Sequence, residues 1–163
     1  MLTGLSAVII SVSSMRIDPT LGFGSSQVLN SRSDLADQKL RIGEYAPEFA
    51  LEDSEGRLMR LSELVEDGPI WITFWASWCG PCRAEAADTE AVVRKGVGQG
   101  WRYVAINVGE NPDTVRKFLE RYTFGSLLDP GHRVSSLYGV RMLPTHFFLT
   151  SEGLIDEIRL GIL

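Results

Sequence analysis

The chain has 163 residues, of which 44% are hydrophobic, and a net charge of −5 at pH 7. This length suits one domain with a short extension and a real hydrophobic core. The acidic balance leaves no basic stripe for phosphate groups and excludes nucleic acid as a partner. Both cysteines belong to one motif, so the cysteine count does not fix the redox compartment.

The chain begins with an apolar stretch that a polar one follows. Leu2–Val12 is too short for a transmembrane helix, which needs about 20 residues, but it suits the core of a signal peptide. No Lys or Arg precedes it and no clear cleavage site follows, so a disordered start or a strand is the alternative. The polar segment Arg16–Lys39 predicts a linker with at most a short helix around Ser33–Leu40.

The next segment predicts a hairpin and a short helical turn. Glu48–Leu51 and Arg57–Leu61 flank a turn at Asp53–Gly56, where the glycine suits a positive φ. We expect this hairpin to be an addition before the main fold. Ser62–Val65 begins the helical turn, and Asp67–Pro69 ends it.

A Cys-x-x-Cys motif then lies between a predicted strand and a predicted helix. Ile70–Phe74 is an apolar run typical of a strand buried on both faces. Ala84–Lys95 is rich in good helix formers. The positive end of a helix stabilises a thiolate, which is the reactive form of cysteine. Cys79 and Cys82 are therefore predicted to form a redox-active dithiol.

A structural disulfide and a zinc site are both less favoured for the cysteine pair. A structural disulfide would close a very small loop and add little stability. A zinc site would need two more ligands, and the chain offers only His132 and His146, both distant in sequence. Redox chemistry without a metal or another cofactor is thus favoured. Pro81 fits the first helical turn, and Gly80 tolerates a tight turn.

Strands and helices alternate after the motif. Trp101–Val108 predicts a strand, and Asn111 with Pro112 predicts a helix N-terminus. That helix is amphipathic, with apolar side chains at Val115, Phe118, Leu119 and Tyr122. This alternation indicates parallel strands joined by right-handed crossovers.

The last third of the chain predicts short elements and a closing hairpin. Leu127–Leu128 is predicted as an edge strand and Val134–Tyr138 as a short helix. His146–Thr150 and Leu154–Leu160 predict an antiparallel pair around a glycine turn. The sequence shows no internal repeat and no second domain.

Several motifs occur in a fixed order along about residues 42–161. They are Ala46–Leu51, the Gly56 turn, Leu61–Leu64, Trp75–Arg83, Leu128–Pro130, Tyr138–Val140 and Leu143–Thr145. The cysteine motif alone resembles the thioredoxin superfamily, and the ordered set resembles the membrane-tethered TlpA/ResA type of bacteria. The resemblance implies an α/β, thioredoxin-like fold with a central mixed β-sheet flanked by helices and an N-terminal β-hairpin extension.

The resemblance also implies the organisation of the chain. Residues 1–41 would be a truncated signal or anchor remnant with a polar linker, and residues 42–163 a thioredoxin-like domain. The family usually continues into a C-terminal helix, whereas this sequence stops at Leu163. We therefore expect the closing helix to be absent or to lie beyond this sequence, which would leave one sheet face partly uncovered. The implied protein is a monomer, extracytoplasmic and tethered to a membrane.

Roles for the site residues follow from the same resemblance. Cys79 would be the exposed attacking thiol and Cys82 the shielded resolving thiol. Pro144 matches a cis-proline that faces the pair and exposes the backbone of Leu143 to an extended substrate, although alone it would be a strand-entry proline. Glu85 matches an acidic residue with a tuning role, and a solvated helix glutamate is the alternative.

Further positions near the motif carry weaker expectations. Trp78 is expected in an exposed apolar rim where partners dock, whereas Trp75 is expected in the core. His146 is expected to be a strand residue rather than a titrating group. Thr73 replaces the buried Asp of thioredoxins, and Ala87 replaces a proline of the family, so the helix is expected to run straighter.

The resemblance implies a thiol–disulfide oxidoreductase of the reductase type. The residues between the cysteines resemble those at the reducing end of the superfamily, at about −270 mV rather than about −120 mV. The implied partners are protein disulfides, such as those of apocytochrome c or copper-site proteins, and a membrane thiol–disulfide electron donor. One alternative is a copper-handling or scaffold protein with the thiols as soft ligands. The second is a thiol peroxidase, suggested by Ala46–Phe49 but lacking a Pro-x-x-x-Thr before Cys79.

Overall fold

The computed structural model describes residues 40–95 and 100–163. The predicted signal or anchor remnant and most of the predicted linker and its short helix lie outside the described residues. The described elements are, in chain order, β1 Ala50–Glu52, β2 Leu58–Arg60, α1 Leu61–Glu66, β3 Ile70–Trp75, α2 Gly80–Arg94, β4 Arg102–Val108, α3 Pro112–Leu119, β5 Ser126–Asp129, α4 Arg133–Leu137, β6 Thr145–Leu149 and β7 Ile155–Leu160.

The predicted elements occur, but several of their ends are wrong. Leu61 begins α1 instead of ending a strand, and β1 begins at Ala50 rather than Glu48. Helix α2 begins at Gly80, four residues before the run of helix formers, because Cys79 serves as its N-cap. The helix therefore includes Cys82 within its first turn.

A five-stranded mixed sheet forms the centre of the fold. Its strand order is β5-β4-β3-β6-β7. Strands β3, β4 and β5 are parallel, whereas β6 and β7 are antiparallel to their neighbours. The α/β fold with a central mixed sheet and flanking helices is thereby confirmed, and β5 is an edge strand as predicted.

Strands β1 and β2 form a separate two-stranded antiparallel sheet before the main fold. The Asp53 side chain stabilises the turn between them, because its Oδ1 accepts hydrogen bonds from the backbone N–H groups of Glu55 and Arg57. Gly56 has a φ of 80°, which an L side chain rarely adopts. The hairpin extension is thus confirmed, with its glycine turn.

All six residues of β3 are buried, which confirms a strand buried on both faces. Ile70, Ile72 and Phe74 lie on one face, in a core that includes Leu64 and Val134. The alternating residues Trp71, Thr73 and Trp75 lie on the other face. The polar side chains of the site are on this second face.

The helices that follow the parallel strands have well-defined starts. The Asn111 side chain accepts the Thr114 N–H and so caps α3, as predicted. The Asp129 carboxylate accepts three backbone N–H groups at the start of α4, from Arg133, Val134 and Ser135. These caps hold the helices against the carboxyl edge of the sheet, where β3 leads into the cysteine motif.

Within the described ranges, no helix follows β7, and Leu160, Ile162 and Leu163 are exposed. Among residues 40–95 and 100–163, no helix is long and apolar enough to span a bilayer.

Candidate active site

The cysteine pair lies where β3 passes into α2. Cys79 and Cys82 are joined by a disulfide, with their Cα atoms 5.3 Å apart. The Cys79 Sγ accepts the backbone N–H of Cys82 at 3.1 Å, so the sulfur itself caps the helix. Pro81 lies in the first helical turn, where its missing N–H costs little. The same N–H and the helix end would stabilise a thiolate on Cys79 after reduction.

The expected contrast in exposure between the two cysteines is wrong for the oxidised protein. Cys79 has 5% of its surface exposed and Cys82 has 6%. The two residues differ in what they face. Cys79 lines an open groove, whereas Cys82 lines a small inner cavity. Cys79 belongs to a buried cluster with Ala105 and Leu128, which are distant in sequence, so its position at a helix end does not by itself expose it.

The groove beside Cys79 has a volume of about 490 Å³. Its rim includes Trp78, which has 67% of its surface exposed, and Met142, which is also exposed. Leu143 lines it too, and the Leu143–Pro144 peptide bond is cis, as the resemblance implied. Trp75 is buried, as predicted, and its Nε1 donates to Ser126 at 3.0 Å. The groove thus offers apolar surface next to the first cysteine.

The sequence suggested that Gly80 tolerates a tight turn, and the structure does not use this tolerance. Gly80 is the first residue of α2, and it is not among the described glycines with a positive φ. A Cβ atom at Gly80 would meet no other atom within 4 Å. The position is therefore open to side chains on steric grounds.

Glu85 lies on the inner side of the disulfide and is buried, with 5% of its surface exposed. It lines the cavity of about 20 Å³ that also contains Cys82, Thr73 and Pro144. Its Oε1 accepts the Leu163 N–H at 3.3 Å. Burial raises the pKa of its carboxyl, the Leu163 N–H opposes that rise, and the charge of Asp88 adds to it. The alternative of a solvated helix glutamate is therefore wrong.

His146 is a strand residue, as expected, but it belongs to the polar surroundings of Glu85. It is fully buried, and its Nε2 lies 3.6 Å from the Glu85 Oε2. Burial lowers the pKa of its imidazole to about 4, and the hydrogen bond to the Gly161 carbonyl opposes this shift. Its ring is therefore neutral at pH 7. Sequence reasoning underrated this residue, although its place in β6, two residues after Pro144, was a usable signal.

A second group that sequence reasoning missed holds the loop before Cys79. The Glu110 carboxylate accepts the Ser77 backbone N–H at 2.7 Å and the Ser77 hydroxyl. It also accepts the Asn107 Nδ2 at 2.7 Å. The loop between β3 and α2 is thus tied to the end of β4. No sequence motif predicts this contact, because Ser77 and Glu110 are 33 positions apart in the sequence.

The described residues contain no group of three or more Cys, His, Asp or Glu side chains placed to hold a metal ion. The arrangement can perform dithiol chemistry with groups of the chain alone, because it combines a capped sulfur, a second sulfur within bonding distance and a buried carboxyl.

Residues 42–158 match the profile of the AhpC/TSA family. The chain is 36% identical over 129 residues to the thiol-disulfide oxidoreductase ResA of Halalkalibacterium halodurans, across 77% of this chain and 73% of that protein. It is 35% identical to ResA of Bacillus subtilis, across 76% and 70% of the two chains.

Solved structures resemble about three quarters of the chain. The crystal structure of a protein described as the thiol:disulfide interchange protein DsbE of Chlorobium tepidum matches with a TM-score of 0.69 and 31% identity, across 77% of this chain and 89% of that one. The exposed lipoprotein thioredoxin of Streptococcus pneumoniae matches with a TM-score of 0.62 and 28% identity, across 72% and 91%.

Proposed function

Because the chain belongs to the AhpC/TSA family and to its ResA-type thiol–disulfide oxidoreductases, we propose that it reduces disulfides in proteins outside the cytoplasm. The oxidoreductase activity itself follows from this membership and from the Cys79–Cys82 pair. The direction of electron flow, the compartment and the roles of individual residues belong to the proposal.

One observation carries the assignment of roles. The Cys79 sulfur caps α2 and borders the open groove, whereas Cys82 faces the inner cavity. A partner bound in the groove would therefore lie next to Cys79 rather than Cys82, and the helix end favours the Cys79 thiolate.

The reaction proceeds in two exchanges. The Cys79 thiolate attacks one sulfur of a partner disulfide, the partner disulfide breaks, and the other partner sulfur leaves as a thiolate. The Cys82 thiolate then attacks the Cys79 sulfur, breaks the mixed disulfide and releases the second partner sulfur. Two electrons pass to the partner, and the Cys79–Cys82 disulfide forms. The leaving thiolates take up protons according to their own pKa values.

The rim of the groove supplies a docking surface. Trp78 and Met142 offer exposed apolar area beside Cys79. The backbone of Leu143, which precedes the cis-proline Pro144, can pair with an extended segment that carries the target cysteine. Protein thiols and disulfides are thus the substrates that this site suits.

Glu85 tunes the dithiol in this proposal. Its carboxyl lines the same cavity as Cys82, and an ionised carboxylate opposes a thiolate nearby. It therefore raises the apparent pKa of the thiols against the pull of the helix end. The result is a reductant that reacts less with random disulfides.

The direction and location draw on similarity. Gly80 and Pro81 between the cysteines resemble the pairs of strongly reducing members. The relative from Streptococcus pneumoniae is described as an exposed lipoprotein. Leu2–Val12 suits part of a signal or anchor. We include in the proposal an N-terminal membrane tether, a membrane thiol–disulfide donor upstream, and apocytochrome c or copper-site cysteines as targets.

Partner capture tests the proposal. The Cys82→Ser protein, expressed in the native host, should accumulate mixed disulfides on Cys79 because the resolving thiol is absent, and mass spectrometry identifies the trapped proteins. Cys79→Ser is the matched control and should trap none. Equal trapping by both variants would reverse the assigned roles, and purely cytosolic partners would contradict the extracytoplasmic location.

A further inference from the structure

A buried set of polar side chains crosses the sheet behind Cys82. His146 on β6 is the register partner of Thr73 on β3, so their side chains lie on the same face of the sheet. The Nδ1 of His146 lies 3.0 Å from the Thr73 hydroxyl and 3.2 Å from the Trp71 Nε1. A fully buried imidazole with partners on both nitrogens is held in one orientation.

The partners also determine which nitrogen carries the proton. The indole Nε1 of Trp71 can only donate, so the Nδ1 of His146 must accept. On the other side, the Nε2 lies 3.0 Å from the carbonyl oxygen of Gly161, which can only accept. Both sides therefore require the neutral tautomer with the proton on Nε2. Burial, which lowers the pKa of His146 to about 4, agrees with a neutral ring.

The same Nε2 atom, whose N–H donates to the Gly161 carbonyl, also lies 3.6 Å from the Glu85 Oε2. The distance exceeds that of a hydrogen bond, but the dipole of the N–H still favours a negative charge on Glu85 in a buried site. We propose that His146 is a positioning residue for the dithiol, which orients the Glu85 carboxyl behind Cys82 and favours its ionised form. The inference rests on the proposed tuning role of Glu85 and extends it to the residue that controls Glu85.

Several charged or titratable groups face this pair from the surrounding elements. Asp88 on α2 opposes ionisation of Glu85. Tyr103 on β4 is half-buried near Thr73, and both its desolvation and the charge of Glu85 keep its pKa above the ordinary value, so it stays neutral. On β7, Arg159 is the register partner of His146, but it is exposed and pairs with Glu157. His146 is thus the neutral donor that faces Glu85 from β6.

Thr73 marks a difference between this chain and thioredoxins in the side chain that faces the cysteines. Thr73 stands where thioredoxins carry a buried aspartate, so no carboxylate of β3 faces Cys82 at that position. Glu85 supplies a carboxyl from α2 instead, and the imidazole that is fixed by Trp71 and Thr73 orients it. The protonation of the group behind the cysteines is therefore set jointly by two elements, β6 and α2.

The test compares the pH dependence of Cys79 alkylation in reduced proteins. His146→Leu removes the Nε2–H, so Glu85 stays protonated to higher pH and opposes the thiolate less. Alkylation near neutral pH should become about three- to tenfold faster, which corresponds to a shift of up to about one pKa unit. His146→Gln, whose side-chain N–H can replace Nε2–H, should return the curve toward that of the wild type.

A double variant separates a positioning role from a general effect. In the Glu85→Gln background, His146→Leu should change the curve no further, because the group on which it acts is gone. Phe147→Leu is the structural control, since Phe147 is buried on the same strand and points to the opposite face. It should lower the free energy of unfolding without moving the curve.

One measurement does not depend on how well His146→Leu folds. In the wild-type protein, ¹⁵N chemical shifts should identify the Nε2–H tautomer of His146 at pH 7, and a cationic ring or the Nδ1–H tautomer would overturn the inference. Equal effects of His146→Leu with and without Glu85 would also overturn it. Partner trapping by Cys82→Ser is independent of these curves, so the reductase proposal can stand if this inference fails.

Discussion

The Glu110 carboxylate holds the loop before Cys79 in place, and Glu110→Ala tests how much this contributes to stability and activity. Glu110 accepts three hydrogen bonds, two from Ser77 and one from Asn107. A hydrogen bond to a charged group contributes about 1.5–3 kcal/mol when it is buried, and Glu110 is only half-buried, so the lower end applies. Asn107 is fully buried and its Oδ1 already lacks a protein partner among the described residues. Loss of Glu110 would also leave the Nδ2 of Asn107 without its hydrogen-bond acceptor.

We expect Glu110→Ala to lower the free energy of unfolding by about 2–4 kcal/mol. The looser loop should also slow reduction of a protein disulfide by several-fold, because Trp78 and the groove would no longer be preorganised. Alkylation of Cys79 by a small reagent should change less, since the helix end still stabilises the thiolate.

Urea denaturation of the oxidised protein measures the free energy of unfolding. Turnover with a protein disulfide measures the rate of reduction, and reaction of the reduced protein with iodoacetamide measures the rate of Cys79 alkylation. Glu120→Ala is the matched control, because Glu120 is an exposed glutamate at the end of α3. A loss of less than about 1 kcal/mol, or equal slowing of alkylation and protein reduction, would refute the role of Glu110 as a clamp on the loop.

Three further predictions concern stability. Gly80→Ala should leave the free energy of unfolding unchanged or raise it by up to about 1 kcal/mol in urea denaturation, because the new Cβ meets nothing and the unfolded chain loses freedom; a clear loss would show a hidden constraint. Asp129→Ala should cost about 2–4 kcal/mol in the same assay, since three N–H groups lose their acceptor, and Asp113→Ala on α3, which is exposed, serves as its control. The pKa of His146 falls from an ordinary 6.5 to about 4 on folding, so the unfolded state binds more protons than the folded state between these pH values. The contribution of this neutral imidazole to stability is therefore fully present above pH 6.5 and is lost as the pH falls to 4. The loss from this group is on the order of 3 kcal/mol, and calorimetry should find it reduced in His146→Gln, whereas an identical pH dependence in both proteins would contradict a neutral buried imidazole.

Local patterns in the sequence determined much of the fold. The apolar run of β3 requires burial on both faces, the Asn111–Pro112 pair starts α3, and the glycine turn at Gly56 joins β1 to β2. Each of these depends on residues close together in the chain, so period, capping and turn chemistry are sufficient. The dithiol was predictable for the same reason, because Cys79 and Cys82 lie within one helical turn.

Only the tertiary structure decided the environment of that dithiol. The burial of Cys79, the contact of Glu85 with the neutral imidazole of His146, and the clamp of Glu110 on Ser77 were not predicted. They depend on the placement of β6 beside β3 and of β4 on the other side, which brings together residues 33 to 73 positions apart in the sequence. Hydrophobic periodicity specifies which face of a strand is buried but not which strand becomes its neighbour, and the polar partners in the core follow from that choice of neighbour.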